Sequence, residues 1–183
     1  MSEFQRIQRL PPYIFGITDA LKRDARARGE DIIDFGMGNP DQPTPNSIVE
    51  KLIEAVNNPS THRYSQSAGL PKLRDAIKNW YLRRYSVELD SSSEIVTCMG
   101  SKEGIAHLAL ATLSNNDDVL VQSPTYPIHS YGVVIAGANL RSISLNGDLD
   151  KFLYDIEDAI NRSSKKPKMI IINFPSNPTT QSA

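Results

Sequence analysis

Four short segments of this chain carry residue types suited to holding a small ligand. Gly100-Ser101-Lys102-Glu103-Gly104 joins a strand-like run to a helical one. Gly100 permits a sharp turn, Ser101 falls where the helix begins, and the first-turn N–H groups offer partial positive charge to an anion. Lys102 adds a full charge, so the segment suits a phosphate. Its glycine spacing matches neither a P-loop nor a dinucleotide fingerprint. The same residues also suit plain capping, with Ser101 as N-cap and Lys102 solvated. Ser123-Pro124-Thr125-Tyr126-Pro127 holds one aromatic in a proline-stiffened loop. Tyr126 there can stack on a planar ligand or cover apolar surface. Asn173-Phe174-Pro175-Ser176-Asn177-Pro178-Thr179 follows a buried-looking strand, and its asparagines can donate to a ligand oxygen or simply form a turn. Gly36 to Asp41 is a further loop: Gly38 would admit a ligand close to the backbone, and Tyr64, downstream, could donate a hydrogen bond. Turn geometry and surface packing account for those two equally.

The elements that must position these loops follow from periodicity. Ile14, Ile17, Leu21 and Ala25 share a helical face within Tyr13–Arg28, with Gly29 as its stop. Ile32–Phe35 reads as a short strand. Thr44 suits an N-cap and Pro45 the first position of a helix reaching about Asn57, with Ile48, Leu52, Ile53 and Val56 inward. Pro71 opens another helix to Tyr85, with Leu73, Ile77 and Trp80 as its apolar stripe. From Glu94 onward, strand and helix alternate: strand Ile95–Met99, helix Ile105–Leu113, strand Val119–Gln122, helix Ile128–Ala136, strand Leu140–Leu145, helix Asp150–Asn161 and strand Met169–Asn173. Short connections in that alternation predict an α/β fold, with a mostly parallel sheet covered by helices on both faces. Ligands of such a sheet bind outside the carboxyl ends of its strands, where all four segments fall.

Composition excludes several function classes. The 20 Lys+Arg against 21 Asp+Glu give a net charge of −1, which favours neither nucleic acid nor an acidic membrane. The lone Cys98 rules out an internal disulfide or a cluster of zinc-binding cysteines, and it reads as packing in a buried strand. His62, His107 and His129 have no metal-ligand spacing, and His107 reads as a core histidine within an apolar helix. No metal site is expected. No apolar run is long enough to span a bilayer, and Met1–Leu10 lacks the apolar core of a secretory signal. A cytoplasmic, membrane-free protein is the expectation.

Together the motifs resemble the class I/II, fold-type I aminotransferases that depend on pyridoxal 5′-phosphate. The resemblance runs from Arg9-Leu10-Pro11-Pro12-Tyr13 to Asn177-Pro178-Thr179. Gly36–Asp41, Tyr64 with Gly69-Leu70, Gly100–Gly104, Pro124–Pro127 and Asn177–Thr179 stand in family order. Gly-Ser-Lys-Glu-Gly-Ile-Ala-His-Leu and the downstream Tyr-Pro-Ile-His-Ser-Tyr-Gly are most similar to the glutamate–pyruvate (alanine) branch, with the LL-diaminopimelate aminotransferases close by. The resemblance implies a three-layer αβα sandwich, incomplete in this chain. Residues 1–44 would form an N-terminal cover segment belonging to the small domain, and 45–183 the first part of the large cofactor-binding domain. It implies that Ser101 and Lys102 hold the cofactor phosphate, that Tyr126 stacks on the pyridine ring, and that Asn177 hydrogen-bonds the ring's phenolic oxygen. It implies that Tyr64 reaches the phosphate of a partner subunit's cofactor, hence a homodimer, and that Gly38 lies beside the substrate carboxylate.

The family's Schiff-base lysine, its acid beside the pyridine nitrogen and its substrate arginine all follow the Asn-Pro-Thr motif, so no catalytic residue is expected within this chain and the lysine is expected beyond Ala183. The implied reaction is amino transfer between an amino acid (alanine or glutamate) and a 2-oxo acid, with these 183 residues inactive alone. Alternatives are an LL-diaminopimelate-type or other aminotransferase, a fold-type I lyase or synthase, a non-catalytic cofactor-binding or interaction module, and a nucleotide-binding α/β protein using Gly100–Gly104.

Overall fold

A computed structural model describes residues 4–36, 38, 40–145 and 147–183 of the chain. Its described elements are, in order, α1 (Gln5–Gln8), α2 (Ile14–Ala27), α3 (Asn46–Val56), a 3-10 turn (Pro59–Thr61), α4 (Pro71–Tyr85), α5 (Ser101–Thr112), β1 (Asp118–Ser123), α6 (Pro127–Ala136), β2 (Asn139–Ser144), α7 (Leu149–Asn161) and β3 (Met169–Ile171). Two compact units emerge: one comprises the chain up to Tyr13 together with Cys98–Ala183, the other Ile14–Thr97.

The first unit holds the sheet. Its three strands run in the order β2-β1-β3, all parallel. β1 is central because Val119, Leu120 and Val121 are apolar toward both faces, the signature of a strand covered on two sides. Val119 and Val121 pack with Ala109 and Leu113 of the α5 end, Val133 and Ala136 of α6, and Ala138. Leu120 packs on the opposite face with Leu145, Phe152 and Ile156, the last two from α7. Helices α5 and α6 thus cover one face and α7 the other, which makes the predicted three αβα layers. The chain steps from β1 to β2 through α6, then returns past β1 to β3 through α7. That reversal of direction is a topological switch point, and it puts the ligand crevice of a doubly wound sheet beyond the carboxyl ends of β1 and β3.

The N-terminal segment is fixed to α6 by its own polar groups. Arg9 donates to the carbonyls of Gly137 (3.4 Å) and Ala138 (2.7 Å), and Arg6 to that of Ile135 (3.1 Å). Both guanidiniums therefore sit on carbonyls at the negative end of a helix. The Tyr131 hydroxyl donates to the Pro11 carbonyl at 2.9 Å, which brings Tyr13 alongside Tyr131. At the amino-terminal edge of the sheet, the Asp117 carboxylate receives Lys165 and Lys168, each at 3.0 Å.

The second unit is helical. Gly29, at φ +81°, ends α2 in the left-handed conformation expected of a glycine stop. Gly69, at φ +93°, turns where a Cβ would lie 1.8 Å from Thr97 Oγ1, so only glycine fits there.

Several expectations are corrected. Ile32–Phe35 and Ile95–Met99 form no strand among the described residues; Thr97 donates its N–H to the Ala68 carbonyl at 3.1 Å, but no ladder follows from it. Cys98 is accordingly exposed rather than packed. His107 is exposed as well, because α5 turns Ala109 and not His107 toward the sheet. Pro45 is the N-cap of α3 and not its first residue, and Thr44 caps nothing. Ile48, Leu52, Ile53 and Val56 share a face as predicted, yet all are more than half exposed. β3 ends at Ile171 and is an edge strand, with Ile170 and Ile172 partly open.

Candidate cofactor site

The site is built where β1, β3 and the start of α5 end or begin in the first unit. Gly100 is the N-cap of α5 at φ +86°, ψ 158°, and caps it with no side chain. Ser101 is therefore the first helical residue and not the cap, so its exposed hydroxyl is free of the capping role that the sequence left open. First-turn N–H groups of a helix have no intrahelical acceptor, which leaves those of Ser101, Lys102 and Glu103 facing outward. The Glu103 carboxylate instead accepts the Met99 N–H and fixes the approach of the chain to the helix. Gly104 completes the turn: a Cβ there would come 2.9 Å from Cys98 Sγ.

Lys102 is not simply solvated. Its Nζ lies 5.1 Å from the centroid of the Tyr126 ring, a cation–π distance. The Tyr126 side chain beside it holds the ammonium above its ordinary range, so Lys102 stays charged at any physiological pH. Tyr126 is half-buried at the N-cap of α6, whose first residue is Pro127. The preceding Thr125 hydroxyl and His129 Nδ1 share a 2.7 Å hydrogen bond, and the His129 ring meets Tyr126 edge-on at 6.2 Å. Burial pushes the His129 pKa down, keeping the ring neutral and able to take part in that bond at neutral pH. Tyr13, Lys102, Tyr126, Pro127, Ile128 and Tyr131 line a small cleft of about 90 Å³.

Asn177 belongs to a loop locked to β1. Gln122 is 2% exposed at the carboxyl end of that strand. Its Oε1 accepts the Asn173 N–H at 2.8 Å, and its Nε2 donates to the Asn173 carbonyl at 3.0 Å and to Ser176 Oγ at 3.2 Å. Ser176 N–H donates to the Gln181 carbonyl and Thr180 N–H to the Ser176 carbonyl, closing a turn around Asn177 and Pro178. The Asn177 side chain is exposed. Lys102 and Tyr126 are thus in contact, and the Asn177 loop is tied to the same end of β1 that leads into Tyr126.

Tyr64 and Gly38 belong to the other unit. Tyr64 is fully exposed. Gly38 has no left-handed φ, and a Cβ would meet nothing within 4 Å, so neither conformation nor crowding there demands glycine. Met37 and Asn39 of the same segment lie outside the described residues, as does Glu3. Gln122, His129 and Tyr131 escaped the sequence reading as site residues. The signal for Gln122 was a polar residue ending an otherwise apolar central strand.

A helix start bearing a cation, a half-buried ring and an asparagine loop, gathered at the carboxyl end of a doubly wound parallel sheet, accord with a fold-type I, pyridoxal-phosphate-dependent transferase. Comparison places the chain within that class: it belongs to the aminotransferase class I and II family, whose model matches residues 30–183. It is 59% identical to the glutamate-pyruvate aminotransferase AlaC of Escherichia coli (strain K12) over 97% of this chain and 43% of that protein. It is 41% identical to the LL-diaminopimelate aminotransferase of Moorella thermoacetica, over 98% of this chain and 46% of that protein. Among solved structures, a single mutant of Thermus thermophilus aspartate aminotransferase matches with a TM-score of 0.82 and 26% identity, over 98% of this chain and 46% of that one. The chain therefore spans less than half the length of these relatives.

Pyridoxal 5′-phosphate is the cofactor of this family. The donor set fits it: a cation and free helix N–H groups suit the phosphate, and an aromatic half-exposed beside them suits a planar ring. Among the described residues, no helix is long and apolar enough to cross a membrane.

Proposed function

We propose that the protein carrying this chain transfers an amino group between an amino acid and a 2-oxo acid, with alanine and glutamate as the amino donors. The observation that carries the reading is the placement of Lys102, a cation at the start of α5, 5.1 Å from the Tyr126 ring. The pair offers charge to a phosphate and a flat surface to a ring. Ser101, Lys102 and the α5 first turn hold the phosphate, Tyr126 supports the ring, and Asn177 donates to the ring oxygen. When bound, the cofactor supplies an electron sink for charge developing at the substrate α-carbon. This chain's residues orient it: Lys102 anchors one end, and Asn177, on its locked loop, fixes the other.

Similarity to the relative named glutamate-pyruvate aminotransferase supports the choice of amino donors. Relatives named LL-diaminopimelate aminotransferases, at 41% identity, favour a second reading in which the donor is a longer diamino acid. A panel of amino acids with 2-oxoglutarate separates the two. Faster turnover of alanine supports the first, and faster turnover of LL-diaminopimelate the second.

Further parts of the reading concern the whole assembly. The protein is a homodimer, and Tyr64 reaches the cofactor phosphate of the other subunit, in keeping with its full exposure. Gly38 lies beside the substrate carboxylate. Residues up to 44 act as a cover, and 45–183 open the large domain. These 183 residues alone turn nothing over, since they span under half of each relative. Borohydride reduction after incubation with pyridoxal phosphate checks this: a specific lysine adduct with turnover from these residues would refute it.

A further inference from the structure

The β1–β3 ladder pairs Val119 with Met169, Leu120 with Ile170 and Val121 with Ile171, and then stops. At the next step the partner of the chain is no longer a strand but the Gln122 side chain. Its amide accepts from the Asn173 N–H and donates to the Asn173 carbonyl, at 2.8 and 3.0 Å. These are the two bonds that one residue receives from a neighbouring strand, where they come from two successive peptide groups. The third bond, Nε2 to Ser176 Oγ at 3.2 Å, reaches one residue short of Asn177.

We propose that Gln122 is a positioning residue for Asn177: its side-chain amide replaces the missing rung of the sheet and sets where the asparagine donor stands. Gln122 and Ser176 are 2% and 3% exposed, so each amide or hydroxyl left unpaired would carry a full desolvation penalty. Phe174 anchors the same loop from the apolar side, against Phe152 at 6.3 Å. An apolar anchor fixes depth but tolerates sliding and rotation. Directional hydrogen bonds to both the N–H and the carbonyl of Asn173 do not. The turn that Ser176 and Thr180 close around Asn177 therefore starts from a fixed base.

The proposal rests on the cofactor reading above, in which Asn177 donates to the ring oxygen. Loss of that donor destabilises the ionised form of the oxygen and raises the pH at which the bound cofactor changes absorbance. The test uses the protein as its reading frame encodes it, loaded with pyridoxal phosphate, in wild-type, Gln122→Met, Ser176→Ala and Asn177→Ala forms. Absorbance is followed against pH, with amide exchange at Asn173 as a second readout. Expected is an upward shift of the midpoint in Q122M, in the direction of N177A, with a smaller shift in S176A. Protection of the Asn173 N–H is lost in Q122M and kept in S176A.

If Q122M loses that protection while its midpoint stays at the wild-type value, Gln122 is merely structural and the proposal is overturned. If Q122M does not fold, S176A decides: an upward shift supports the proposal and an unmoved midpoint overturns it. Wild-type protein that binds no pyridoxal phosphate refutes the cofactor reading, and this inference with it. A shifted N177A with Q122M and S176A unmoved refutes this inference alone, whereas an unmoved N177A refutes the Asn177 reading and this inference with it.

Discussion

Phe152 is the residue on which the α7 face of the sheet most depends. It is 2% exposed, shares its cluster with Leu120, Leu145 and Ile156, and meets the Phe174 ring edge-on at 6.3 Å and 85°. A buried phenylalanine removes roughly 150–250 Å² from water. At about 25 cal/mol per Å² that is about 4–6 kcal/mol. A compact unfolded chain reduces the figure by roughly 10–40%. The result, about 2–5 kcal/mol, spans the usual cost of about 3–5 kcal/mol for truncating a core phenylalanine to alanine. Phe152→Ala should therefore destabilise the protein by about 3–5 kcal/mol. Phe152→Leu keeps most of the apolar volume but loses the ring contact, and should cost about 1–2 kcal/mol. Urea unfolding checks both, provided the denaturant slope stays constant. Because Phe174 lies in the Asn173–Asn177 loop, the alanine variant should also speed amide exchange there. A loss under about 1 kcal/mol in Phe152→Ala would refute the packing argument.

Other outcomes follow from single sites. Gly69→Ala should be destabilising by more than about 1 kcal/mol, through positive φ and the collision with Thr97; a Thr97→Ala background should relieve only the collision. Thermal unfolding of the single and double variants measures both parts. Lys165, Lys168 and the Ser114 N–H hold the Asp117 carboxyl at about 2, against an ordinary 3.8. Its contribution is therefore complete above 3.8 and lost as pH falls from there toward 2, and Asp117→Asn should flatten that part of the stability–pH curve. Burial lowers the His129 pKa below its ordinary 6.5, so folding favours the neutral ring. Stability should fall as pH drops below 6.5, and His129→Gln should remove that slope in unfolding experiments across pH 5 to 7, a window set about the ordinary histidine value.

The alternation from Ser101 onward was readable because each element there is bounded by its own chemistry. Val119-Leu120-Val121 is apolar on consecutive positions, Pro127 opens α6, and Gly137 closes it at φ +91°. Ile32–Phe35 and Ile95–Met99 are also rich in β-branched residues but form no ladder among the described residues. Strand propensity expresses itself only in a sheet. The apolar stripe of α3 was legible as a face, but what covers it was not, since periodicity reports which residues agree and never what they meet. His107 misled because α5 is apolar nearly all round, so its sequence does not choose a buried side. Ser101, Lys102, Tyr126 and Asn177 were proposed from residue type and from position after predicted strands, of which Ile95–Met99 does not form. The Lys102–Tyr126 contact joins the starts of two separate helices, and the Gln122 clamp spans 51 residues. Spacing along the chain cannot report either.

The central claim is that the Gly100–Gly104 turn cradles the phosphate of pyridoxal phosphate. Its most direct test is the dissociation constant for that cofactor in wild-type and Lys102→Ala protein, with ATP and NAD as competitors. The account predicts binding by the wild type in preference to both nucleotides, and a loss of about tenfold or more in the variant, the scale of one charge-assisted hydrogen bond. Equal affinity in the two proteins, or a preference for a nucleotide, would contradict it.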